Sequence, residues 1–348
     1  MDLIKRYGTN FKVSFSISGS ALEQFALHAP EVIESFKELA KTGSVEFLAE
    51  TYAHSLASLS DTDEFERQVQ RHAAKMEELF GQKPVTLRNS SLIYSDQIGE
   101  RVAAMGFESM LTDGAKHVLG WKSPNFVYTN VMNPRLKLLL KKSRLSDDLT
   151  LRFSDHSWHE WPLTADKYAR WLKDSTQDSE IVNLFMNYET FGENQLAETG
   201  IFEFMRSLPE YIFSTTDFEF QTPSEAVKKH QPVAPLHVPY PISWADEEKD
   251  ITGWLGNELQ NEAFEELFKI QPKVEALNDP ELNEDYSRLQ ASDHFYFMRK
   301  KLFSDNDYHL YVSPYETPYE AFINYMNVLS DFVARVEDME KMRNIAGN

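Results

Sequence analysis

Ile181–Gln195, IVNLFMNYETFGENQ, is the stretch on which the reading of the chain turns. Val182, Leu184, Phe185 and Met186 read as a short hydrophobic strand that runs into Asn187, Tyr188 and Glu189. A turn at Phe191-Gly192 follows, and then an amphipathic helix. In a strand–helix protein, polar residues at the carboxyl end of a strand stand at the mouth where ligands bind. The pattern predicts a site around Asn187–Glu189 and a fold of alternating strands and helices.

The rest of the chain supports that alternation up to about residue 232. Phe11–Ile17 reads as a strand, and Ser20 with Glu23 as a capping box for a short helix. Pro30 opens a second helix with Val32, Phe36 and Leu39 on one face and a stop at Gly43. Val45–Ala49 is the next strand. Phe65, Val69, Ala73, Met76 and Phe80 keep helical spacing and end at Gly81. Val85–Asn89 and Glu108–Thr112 read as strands flanking a helix over Ser95–Met105. After a loop at 121–134, Leu149–Ser154 reads as a strand and Ala165–Leu172 as a helix. Thr222-Pro223-Ser224-Glu225 is a capping box. This alternation predicts a mostly parallel sheet, open or closed into a barrel, with helices outside it. Pro232–Pro241, with four prolines, reads as a joint. Beyond it strand signals vanish, and a helical region closes with a helix capped by Thr317-Pro318-Tyr319-Glu320.

Composition narrows the chemistry. The 348 residues include 6 Trp, 15 Tyr and 24 Phe, enough for a well-packed globular core. A formal charge of −20 opposes binding to nucleic acid, whereas neutral sugars meet no such penalty. With no cysteine, disulfides, thiolate catalysis and thiolate metal ligands are excluded. The histidines are scattered, and His156/His159 lack an acidic complement, so neither a metal nor a cofactor is expected. Gly-rich phosphate loops are absent. No run approaches the ~20 apolar residues of a membrane helix, so the expectation is a cytoplasmic protein with no membrane partner. The sequence leaves the oligomeric state open.

Several motifs, in order, resemble glycoside hydrolase family 57, the α-amylase-type branch. Ile181–Gln195 contains a block that usually reads MDYETFGEHQ, whose Asp is the family's catalytic acid/base; here that position is Asn187. Arg88–Gly99, RNSSLIYSDQIG, is similar to RNTELIYSDEIG, whose Glu is the family's nucleophile; here that position is Ser91. Val45–Leu56, VEFLAETYAHSL, is similar to a region whose His contributes to the sugar site, which points to His54. Ser243–Gln260 resembles a further signature, with Trp244 and Asp246 in place, and Ser292–Met298 another family block. The family's first strand ends in His-Gln-Pro. The only such tripeptide here, His230-Gln231-Pro232, is out of order, so the first strand is expected to be missing and Met1 need not be the native start.

The resemblance implies an α/β fold, an incomplete seven-stranded (β/α) barrel over 1–232 followed by a helical region over 233–348 packed on it. It also implies an α-glucan or maltooligosaccharide as the partner. A retaining glycosidase needs one carboxylate to attack and one carboxyl group to protonate the leaving oxygen. Ser91 without a base and Asn187 without a usable proton do neither, so hydrolysis is expected to be absent or strongly impaired. A substitute acid such as Glu189 or Asp113 is the alternative, and a scaffold that binds no sugar a third. Tyr188 and Glu189 read equally as ligand contacts or loop residues. Trp244 reads as a stacking face or as core, Trp158 in the SWHEW loop as a sugar contact, Trp254 as core and Glu193 as a capping partner of Thr190.

Overall fold

The computed structural model describes every residue except Asp61, Gln177, Asp178, 301–312, Gly347 and Asn348. Seven strands form an incomplete (β/α) barrel. β1 (Val13–Phe15) pairs in parallel with β2 (Val45–Phe47), and a bridge from Ala49 to Leu87 carries the sheet on to β3 (Thr86–Arg88). β4 (Ser109–Asp113), β5 (Tyr128–Asn130), β6 (Lys137–Lys141) and β7 (Ala234–Leu236) complete the order β3-β4-β6-β5-β7. All pairings are parallel except β5 with β6.

The helices fall where glycine stops and caps place them. The helix Glu64–Phe80 buries Phe65, Val69, Met76 and Phe80 and ends on Gly81 at φ 67°, a conformation that glycine adopts without strain. The helix Asp96–Ala104 is capped by Ser95, whose hydroxyl accepts from the Ile98 N–H. The capping box at Thr222 and Glu225 opens the helix Pro223–Lys229.

Five readings of the sequence change, the first being the loop at 121–134, which contains β5. Leu149–Ser154 is not a strand: the helix Ser143–Thr150 runs into it, and Leu145, Leu149 and Phe153 pack at a spacing of four against Tyr168 and Phe204. The missing strand is β6, KLLLK, which follows the Asn133-Pro134 turn directly. The first helix, Gly19–His28, is capped by Ser18 rather than Ser20, and Glu23 instead accepts a hydrogen bond from the Tyr52 hydroxyl at 2.6 Å. The proline-rich stretch supplies β7, where Pro235 is tolerated because β7 is an edge strand.

Ile181–Met186 is extended but joins the sheet through a single bridge, Asn183 to Lys141 at the end of β6. Its side chains still alternate. Val182, Leu184 and Met186 pack on the helical cluster, while Ile181 and Phe185 face the sheet. The helices from Thr252 to Ala346 pack on the barrel in one continuous core that includes Tyr94, Leu138, Trp254, Leu267 and Phe332. No helix of the described residues is long and apolar enough to cross a membrane.

Trp254 is 2% exposed and lies 5.5 Å from the Tyr296 ring. Trp254→Ala is expected to lower folding stability by ~3–5 kcal/mol, the cost of emptying a large aromatic site. Urea denaturation measures it. A loss under ~1 kcal/mol would mean that the helical region does not depend on this ring.

Candidate functional site

The strands end around a cavity of about 4050 Å³, open to solvent. Compact ligand pockets hold roughly 300–1,000 Å³, so a ligand occupies only part of this basin. His54, Ser91, Asn187, Tyr188, Glu189, Trp244 and Asp246 all line it. Trp158 does not: its ring packs edge-on against Trp171 at 5.9 Å in the outer helical cluster. Asp113 is also absent from the lining. Its carboxylate is buried, accepts from the Ser143 hydroxyl at 3.1 Å and lies 3.8 Å from the Lys249 ammonium. Burial raises its pKa, against the opposing pull of Lys249 and Lys141.

Each strand end delivers its residue differently. Ser91 follows β3 in a single tight turn, Ser90–Leu92, with φ 53° at Ser91 and φ 55° at Leu92. Two successive left-handed residues without glycine are strained by roughly 1–3 kcal/mol each. The Ser91 carbonyl accepts from the Trp244 N–H at 3.0 Å, which fixes the 244 loop beside the Ser91 turn. Trp244 is half-buried, packed against the core on one side and presented to the cavity on the other. Asp246, at φ 54°, follows on the same loop within electrostatic range of Arg299.

Asn187 begins the turn Tyr188–Thr190 and is exposed at the mouth. Tyr188 reaches across the opening, its ring 6.1 Å from Phe15 on β1 and 6.4 Å from Phe36. Glu189 is exposed, and its carbonyl accepts from the N–H groups of Glu193 and Asn194. Glu193 is not a helix cap: the helix that follows is Ile201–Thr215, and Glu193 lines the cavity.

The sequence reading gave no role to Glu50 and Arg88, yet they form the rigid floor. Glu50 is 1% exposed. Its carboxylate accepts from His54 Nδ1–H at 2.9 Å and from the Ser16 hydroxyl at 3.0 Å, and lies 3.6 Å from the Arg88 guanidinium. Burial by itself pushes this carboxyl up, but the His54 hydrogen bond and the charges of His54 and Arg88 outweigh it and hold the pKa at about 2. His72 accepts from the Glu50 N–H at 3.2 Å through Nδ1 and donates from Nε2 to the Ile17 carbonyl at 2.7 Å. Burial lowers the His72 pKa, in keeping with this neutral tautomer. With Nδ1–H committed to Glu50, His54 keeps Nε2 for the cavity. The signal was present as an acid four residues before His54 and an Arg at the end of β3. Among the described residues no group of three His, Cys, Asp or Glu side chains is placed to hold a metal ion.

The sequence model of Glycosyl hydrolase family 57 matches residues 1–239. The chain belongs to this family. It is 41% identical over 350 residues to the "Putative alpha-amylase" of Methanocaldococcus jannaschii, spanning 97% of this chain and 74% of that protein. A 4-alpha-glucanotransferase from Thermococcus litoralis superposes with a TM-score of 0.73 at 13% identity, over 97% of this chain but only 54% of that one. A branching enzyme of the same family from Pyrococcus horikoshii superposes with a TM-score of 0.67 at 12% identity, over 98% of this chain and 87% of that one. At such low identity these two likenesses bear on the fold. The family 57 chain thus spans about half the length of the glucanotransferase.

The Glu50 pKa ties stability to pH. A carboxyl held at about 2 against an ordinary 4.5 contributes stability that is complete above pH 4.5 and is lost as the pH falls towards 2. The shift corresponds to about 3 kcal/mol. Glu50→Gln is expected to lower stability by about that amount at neutral pH and to flatten the fall in urea midpoint between pH ~4.5 and ~2. A variant whose midpoints run parallel to those of the parent would assign the acid sensitivity to other groups.

Proposed function

We propose that this family 57 chain binds α-glucan in the barrel cavity and does not hydrolyse it. The observation that carries the reading is that Ser91 and Asn187 stand at the ends of β3 and of the 181–186 segment, both lining one cavity. By resemblance these are the nucleophile and acid/base positions. A serine glycoside is a poor leaving group, and an amide has no proton to give near the required pKa. Loss of acid–base assistance alone costs ~10²–10⁴-fold in rate, and loss of the nucleophile adds to it non-additively.

The carboxylates nearby do not restore the pair. Glu50 lines the cavity but is ionised and committed to His54, Ser16 and Arg88. Asp113 lies behind the wall, bound to Ser143. Glu189, Glu193 and Asp246 line the cavity as well, but none stands at either of the two family positions. Binding has better support. Trp244 lines the cavity while packed on the core, an aromatic suited to stack on the apolar face of a pyranose, and His54 Nε2 is available to a sugar hydroxyl.

Calorimetry with maltooligosaccharides and an assay of reducing-end release separate the possibilities. The expected result is binding with no release above a matched blank from pH ~4 to ~9. A bell-shaped pH–rate profile would instead identify substitute carboxyl groups, and no binding at all would favour a scaffold. Trp244→Ala and His54→Ala are each expected to weaken binding by ~1–3 kcal/mol.

Restoration tests the assignment itself. In Ser91→Glu plus Asn187→Asp the two carboxyl groups are expected ~5–5.5 Å apart, the retaining separation. The double variant is expected to recover partial cleavage of an activated α-glucoside, and neither single variant to do so. A crystal structure of the double variant with the new carboxylates in separate recesses would end the assignment.

A further inference from the structure

Asp113 and Lys249 form a buried ion pair at the cavity wall, separate from the bonds of the Glu50 network. The Asp113 carboxylate at the end of β4 is fully enclosed, and the Lys249 ammonium 3.8 Å from it belongs to a side chain only 17% exposed. Such a pair adds little to stability over apolar side chains of the same size, because desolvation offsets the attraction. It does, however, fix a geometry.

Lys249 closes the loop that carries Trp244. Its ammonium donates to the Trp244 carbonyl at 2.8 Å, and its own carbonyl accepts from the Ser243 N–H at 3.0 Å. The Trp244 N–H donates to the Ser91 carbonyl at 3.0 Å. Both backbone polar groups of the tryptophan are thus anchored, one to the Ser91 turn and the other to a cation held from behind by Asp113. Asp113 in turn accepts from the hydroxyl of Ser143, just after β6, at 3.1 Å. The loop needs such anchoring. Asp246 at φ 54° and Lys249 at φ 56° are left-handed without being glycine, and such residues persist only where their surroundings over-determine them. Strain of this kind gathers at ligand-binding sites. Trp244 itself packs on two clusters of the core yet lines the cavity.

We propose that Lys249 and Asp113 are positioning residues for Trp244, holding its ring in the orientation that stacks on a pyranose. The inference rests on the glucan reading and deepens it: the stacking residue is set by a buried ion pair that joins β4, the end of β6 and the 243–250 loop. A direct bond from the Lys249 ammonium to the sugar is the competing account, since Lys249 also lines the cavity.

A double-mutant cycle read by calorimetry with maltoheptaose tests it. Lys249→Met is expected to weaken binding about 10-fold in the parent and less than about 2-fold in the Trp244→Ala background. Asp113→Asn plus Lys249→Met leaves no lone charge buried, so it is expected to fold and to lose affinity by the same factor. Equal losses in both Trp244 backgrounds would overturn the inference in favour of the direct bond, and an undiminished affinity of Lys249→Met would overturn it outright. Tryptophan emission of the free protein, taken as the difference between each protein and its Trp244→Phe counterpart, reads the ring without any sugar. Lys249→Met and the charge-free double variant are each expected to shift that difference spectrum to longer wavelength and to raise its quenching by acrylamide. If maltoheptaose binds the parent and the spectrum does not move, this inference alone fails. If the spectrum shifts and no maltooligosaccharide binds the parent, the glucan reading fails while the anchoring of Trp244 by Lys249 stands.

Discussion

A single buried carboxylate joins most of the elements that make the site. Glu50 sits just past β2, and its side chain binds Ser16 after β1, His54 on the following loop and, electrostatically, Arg88 at the end of β3. Its backbone N–H binds His72 on the outer helix Glu64–Phe80. An ionised group at 1% exposure is tolerable only with such a full set of donors. The same bonds set the direction of the strand-end loops. The loop Thr51–Ser58 is further tied to the 88–92 turn by Thr51 to Ser90 at 2.7 Å and Asn89 to Ser58 at 2.8 Å. His54 at φ 52° and Ser91 at φ 53° are therefore held in strained backbone by a network that neither residue supplies alone.

The other side of the cavity is assembled by packing rather than by sheet. Asn183 makes the one bridge to β6, and alternating side chains of 181–186 anchor the segment between the helical cluster and the sheet. Tyr188 then spans the mouth to Phe15 and Phe36. The β1–β3 side is thus rigid and hydrogen-bonded, while the Asn187 side depends on hydrophobic seating. The two positions compared with catalytic stations therefore rest on different kinds of support.

Much of this was legible in the sequence, and the failures have physical causes. β1 to β4 could be read because short apolar strands lie between helices with clear caps and glycine stops. Leu149–Ser154 misled because Thr150, Leu151, Arg152 and Phe153 mimic a strand, while the spacing of Leu145, Leu149 and Phe153 that decides the matter is helical. β6 was missed because its apolar run is only Leu138–Leu140 between lysines, with no alternation to mark a strand, and β7 because Pro235 argues against a strand except at an edge. At the site, the motif positions His54, Ser91, Asn187 and Trp244 all line one cavity. Trp158 does not, because SWHEW packs on Trp171 rather than reaching inward. Glu50 was invisible because its importance lies in partners from four separate segments.

The charge at the strand ends is set by the same network. Ser91 and Asn187 bring no charge to the two positions compared with catalytic stations. The ionised Glu50 does line the cavity, but its oxygens are held by His54 and Ser16 with Arg88 alongside, so its charge is balanced where it stands. The wall formed by β1 to β3 is therefore fixed by an internally neutralised carboxylate rather than by one that faces a ligand.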